Sequence, residues 1–165
     1  MSDLGVWRAN RLRTVPNAPN PFVKRRERLH AALDCALDAA EIKPFHGDLE
    51  QLTLANNDFR RVIFTGKHEQ LVLMSLKPGE NIGNEIHPDT DQFFRIEQGT
   101  AKFTLGNGNE VFSVSDGGGV VVPAGTWHDV RAGKDGVKLY TIYAPPNHPD
   151  GTVERTKAEV KKKEG

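Results

Sequence analysis

From Arg61 to Tyr143 the apolar residues come in short runs separated by turn-forming residues, a pattern that predicts strands. The runs cover residues 61–65, 70–76, 92–97, 101–105, 111–114, 119–122 and 137–143, and β-branched and aromatic side chains are frequent in them. Short strands at this spacing point to an antiparallel sandwich or barrel, so the expected fold class is mainly β. Gly106, Asn107, Gly108 and Asn109 supply the positive φ that a tight hairpin needs. Lys77, Pro78, Gly79 and Glu80 mark another corner, as do Asp116, Gly117, Gly118 and Gly119.

The pattern ahead of these runs is different. Phe22, Leu29, Leu33, Ala36, Leu37 and Ala40 recur at helical spacing, with Asn20 as N-cap and Pro21 at the first helical position. This predicts one long helix over residues 21–42, preceded by an irregular arm carrying Pro16 and Pro19. The basic run at residues 24–28 reads as a solvated helix face, and Cys35 as a small packed side chain. The expected organisation is an N-terminal arm and helix over 1–47, a β-barrel over 48–148, and a C-terminal tail over 149–165 that wraps the surface.

Composition narrows the function classes. Lysine plus arginine equals aspartate plus glutamate, at 22 each, so charge gives no reason to expect nucleic acid or an anionic membrane as partner. A small-molecule substrate or ligand is the expected partner. No stretch approaches the roughly 20 apolar residues of a membrane span. One cysteine rules out an internal disulfide and favours a cytoplasmic location. Exposed barrel edges and the apolar arm favour a homodimer.

Candidate chemistry lies between Gly79 and Gly99. Glu85 and His87 are two positions apart, so on an extended backbone both side chains leave the same face and can share one ion. Gln92 has the wrong parity for the same continuous strand, but Pro88, Asp89, Thr90 and Asp91 form a turn that resets the direction. Further on, the turn at Pro123, Ala124 and Gly125 delivers His128 to the start of the next strand. Two imidazoles, a carboxylate and an amide oxygen suit a borderline divalent ion such as Zn, Mn, Fe, Co or Ni. Phe94 and Ile96 share the parity of Gln92 and should line the pocket, with Phe103 and one of Tyr140 and Tyr143. Trp127 should face the opposite side from His128. His30, His46, His68 and His148 have no partner at ligand spacing and read as surface residues.

These two stretches resemble the two sequence motifs of the cupin superfamily. Gly79, Glu85, His87, Gln92 and Gly99 fall on the first motif, and Gly117, Pro123, Gly125 and His128 on the second. The resemblance covers roughly residues 60–145 and implies a jelly-roll barrel, a double-stranded β-helix, enclosing a metal held by Glu85, His87, Gln92 and His128. The chain departs from the common pattern: Glu85 replaces a histidine, Gln92 replaces a glutamate, and Ala132 stands where the second motif often ends in asparagine. The ligand pattern is similar to that of cupin-type phosphomannose isomerases with Glu and Gln exchanged. It implies an isomerase-like metalloenzyme acting on a sugar or sugar phosphate, with a metal-dependent dioxygenase and a non-catalytic ligand-binding module as alternatives.

Overall fold

The structure is a computed structural model and describes residues 43–163. The arm, the helix expected over residues 21–42, the basic run and Cys35 lie outside the described residues. The described chain opens with a short helix α1 (Leu49–Ala55), which the strand-seeking pattern did not anticipate. Asp48 caps it by accepting from the Gln51 amide at 3.0 Å, and α1 lies against the sheet with Thr53 buried.

Strands β1 (Arg60–Thr65), β2 (Gln70–Leu76), β3 (Asp91–Leu105), β4 (Glu110–Ser115), β5 (Gly119–Val122), β6 (His128–Ala144) and β7 (Val153–Glu154) form one antiparallel sheet. Its order is β4-β3-β6-β2-β1-β7, and β5 pairs with the first part of β3. The hairpin expected at Gly106 to Asn109 joins β3 to β4, with Asn107 at a φ of 58°. Residues 92–97 and 101–105, read separately above, belong to the single strand β3.

What resembled a break is a kink. The register of β3 against β6 shifts between Ile96 and Gln98 and again between Gly99 and Ala101. Gly99 has a φ of 82°, and a β-carbon there would lie 2.3 Å from the carbonyl oxygen of Gly136. Only glycine lets the two backbones approach this closely.

Alternation along β3 and β6 drives one face inward. Phe94, Ile96, Phe103, Val130 and Leu139 are fully buried, joined by Val72 and Met74 from β2. Phe94 meets Phe103 edge-on at 5.3 Å, and Phe103 stacks on Phe112 at 5.6 Å. The segment expected as a tail over 149–165 carries regular structure. Val153 and Glu154 pair with β1, and a further helix α2 (Lys157–Lys163) follows, with Val160 packed on the core. Glu154 is 4% exposed and accepts from Arg60 Nη1 at 2.9 Å, so the segment is tied down by a buried ion pair.

Candidate metal centre

The loop between β2 and β3 carries Glu85 and His87. It runs antiparallel to the start of β6 without forming a strand: Ile82 N–H donates to the Val130 carbonyl at 3.0 Å and Ala132 N–H to the Glu80 carbonyl at 2.8 Å. At its end, Glu85 and His128 exchange two backbone hydrogen bonds of 2.9 Å. The turn of the second motif closes on the first, because Gly125 N–H donates to the His87 carbonyl at 2.8 Å. Gly125 has a φ of 75°, the left-handed conformation that glycine adopts without steric cost.

This backbone places three side chains at one point. Glu85 Oε1 lies 3.4 Å from His87 Nε2 and 3.4 Å from His128 Nε2, and the candidate ligand atoms of all three lie within 4.8 Å of one another. Two donors held about 2.1 Å from one ion at ordinary coordination angles lie about 3.0–3.4 Å apart, so the donor set fits a divalent ion.

Gln92, 1% exposed at the start of β3, points its Oε1 at His128 Nε2, 3.0 Å away. Its Nε2 donates to Thr141 Oγ1 at 3.1 Å, which fixes the amide. The structure thus brings together Glu85, His87, Gln92 and His128, the four residues picked out from the sequence. His128 Nδ1 donates to the Thr126 carbonyl at 3.0 Å, which leaves Nε2 to face Glu85 and Gln92. With acceptor oxygens on both sides, Nε2 must either carry a proton or face a cation.

The electrostatics agree with that alternative. Burial would raise the Glu85 pKa, but hydrogen bonds and charge from His128 and His87 outweigh it and hold the carboxyl at about 2. Burial would likewise lower the His128 pKa, yet Glu85 and the Thr126 carbonyl raise it above the usual histidine value.

The walls are largely apolar and aromatic. Phe94 approaches the His128 ring at 6.1 Å, and Tyr143 meets His87 edge-on at 5.6 Å. Tyr143 is the inward tyrosine of β6, and burial, first, with the Glu85 charge pushes its pKa up. Tyr140 instead meets Phe93 at 6.2 Å. Ile96 and Phe103 are core residues, with Phe94 standing between Phe103 and His128. Trp127 is 38% exposed while His128 is 1% exposed, as their opposite parity requires.

Reading His148 as a surface residue is corrected. Its Nε2 is buried without a partner among the described residues, and its ring meets Tyr143 edge-on at 4.9 Å. Burial and the Arg60 charge hold its pKa at about 4, so the imidazole is neutral at ordinary pH. Gln70 places it: the Gln70 Nε2 donates to the His148 carbonyl at 2.8 Å, and Oε1 accepts from the His148 amide at 3.0 Å. No ligand spacing in the sequence could signal this. Thr141 was detectable, because it has the inward parity of Leu139 and Tyr143 on β6.

A family model described as "Cupin domain" matches residues 72–143. The uncharacterized protein YrkC of Bacillus subtilis is 51% identical over 123 residues, covering 72% of this chain and 66% of its own length. The uncharacterized protein L612 of Acanthamoeba polyphaga mimivirus is 49% identical over 110 residues, covering 65% of this chain and 69% of its own. The crystal structure of BH2720 from Bacillus halodurans superposes with a TM-score of 0.72 at 44% identity, over 74% of this chain and 97% of that one. With two glycine-bounded motifs that meet at Glu85 and His128 inside an antiparallel jelly-roll barrel, the chain belongs to the cupin superfamily.

Proposed function

We propose that this cupin is a metalloenzyme acting on a small oxygen-rich substrate, with isomerase-like proton transfer as its chemistry. The observation that carries the reading is the convergence of Glu85 Oε1 on both His87 Nε2 and His128 Nε2 at 3.4 Å, backed by Gln92 Oε1. Glu85, His87 and His128 would hold the ion, with Gln92 Oε1 beside His128 Nε2 supporting them. A bound divalent ion supplies Lewis-acid polarisation of substrate oxygens. The protein's part is to orient the substrate and to exclude water with Phe94 and Tyr143. Glu85 is committed to the ion, so a base for moving a proton has to come from elsewhere.

The donor set also favours a second reading. Two histidines and one carboxylate are the set used by non-haem iron oxygenases, so a dioxygenase is the alternative chemistry. A non-catalytic ligand-binding module is the third. Metal analysis of natively purified protein, paired with oxygen-electrode measurements, separates them. Zinc content and turnover without oxygen would support the isomerase, oxygen consumption would replace it with the dioxygenase, and ligand binding without turnover would leave the binding module. A homodimer joins the proposal because edge strands β4 and β5 present Val111 and Val121, 51% and 65% exposed. Light scattering coupled to size exclusion tests it.

A further inference from the structure

A cavity of about 370 Å³ lies between the loop carrying Glu85 and helix α2. Glu85 is shared by this cavity and the metal triad. Its other walls include Arg60, Lys157, Ile82 and Val160. Arg60 is 5% exposed, and a buried guanidinium brings five donors that need acceptors. Glu154 accepts from its Nη1 at 2.9 Å, while Nε is buried with no acceptor among the described residues. Lys157 Nζ donates to Asn81 Oδ1, a neutral partner, and among the described residues it forms no ion pair. Asp129, which is not part of this lining, accepts from Asn81 Nδ2 and the Gly83 amide, each at 3.0 Å.

On this basis, and on the reading of the triad as a metal centre, we infer that this cavity binds the anionic group of the substrate, a carboxylate or a phosphate. Arg60 and Lys157 provide its cationic walls. Glu85 marks the boundary between the anion subsite and the ion. A divalent ion more than offsets the Glu85 charge, and Glu154 matches Arg60, so the loaded site keeps an excess of positive charge around Lys157. Without the ion the Glu85 carboxylate faces the same cavity and repels an anion. Anion binding is therefore coupled to metal binding through one residue. Ile82 and Val160 make the wall between these charges apolar, which strengthens an ionic contact by excluding water.

The substrate class that follows is a small acid or phosphate ester whose neighbouring hydroxyl or carbonyl oxygen reaches the triad. A neutral sugar would leave the Lys157 charge without a counter-charge.

The test titrates glycolate, inorganic phosphate and uncharged ethylene glycol into cobalt-loaded full-length protein, following cobalt absorbance and nitrogen-15 chemical shifts. Glycolate or phosphate should bind at least 10-fold more tightly than ethylene glycol, and the stronger of the two identifies the anion type. Lys157→Met should weaken that anion about 10-fold while cobalt stoichiometry stays the same. The metal-free Glu85→Gln variant, which removes the repelling charge, should bind the anion with shifts at the Arg60 Nε–H and at residues 82–85. If cobalt does not bind but these shifts appear, the metal reading fails and the anion subsite stands. Equal affinity for ethylene glycol, or no effect of Lys157→Met together with no shifts in Glu85→Gln, overturns the anion subsite.

Discussion

Glu85 and His128 are joined by two reciprocal backbone hydrogen bonds of 2.9 Å, although 43 positions separate them in sequence. The backbones of two ligand candidates from different motifs are therefore tied together by main-chain hydrogen bonds. Side-chain substitutions at the site should spare the fold and remove the ion. His87→Ala should purify with less than a tenth of the wild-type metal, at an unchanged far-UV circular dichroism spectrum. Gln92→Leu should lose about 10–100-fold in metal affinity, the cost typical of groups that support a metal from its outer shell. A loss as complete as that of His87→Ala would make Gln92 a direct ligand.

Metal and proton compete for His128. The His128 pKa lies above its ordinary value of 6.5 in the metal-free fold. Protonation therefore stabilises the metal-free protein fully below the unfolded pKa, and this stabilisation is lost as pH rises through the folded pKa. Its contribution to the melting temperature should fall over that window, and Glu85→Gln should flatten it. Metal affinity should move the other way and rise with pH, because the ion needs an unprotonated Nε2. Scanning fluorimetry at a series of pH values, with and without cobalt, reads both slopes.

Arg60 and Glu154 form an ion pair with both side chains 6% exposed. Breaking one partner of such a buried pair costs about 3–5 kcal/mol. Arg60→Met should lower unfolding stability in urea by that amount and loosen β7 from β1. A change under about 1 kcal/mol would mean that this pair contributes little to folding.

Gly99→Ala adds a methyl group that meets the Gly136 carbonyl oxygen at 2.3 Å, on a backbone already at a φ of 82°. The conformational penalty alone is about 1–2 kcal/mol, and the collision adds to it. Chemical denaturation should show a loss above about 2 kcal/mol, with near-wild-type stability counting against the close approach.

Seen residue by residue, the legible part of this protein was local. Alternation exposed the strands, and the glycine-bounded turns located Glu85, His87, Gln92 and His128. Gly99 misled by looking like a strand end, because a glycine that kinks a strand and one that ends it look alike in sequence. His148 and the Arg60–Glu154 pair were invisible for another reason. Each depends on a partner far along the chain, Gln70 for His148 and a carboxylate 94 positions away for Arg60. No periodicity encodes such meetings. The long helix expected over residues 21–42 belongs to the part of the chain outside the described residues.

The Gln70 side chain also acts on the backbone after β6. Its amide engages Asn147 N–H at 3.4 Å and His148 at both N–H and carbonyl, in the manner of a neighbouring strand. Gln70 is itself fully buried. A loop stapled in this way should resist solvent as a sheet does. The His148 amide should exchange its hydrogen for deuterium as slowly as the β6 amides, and Gln70→Ala should release it to the rate of an open loop.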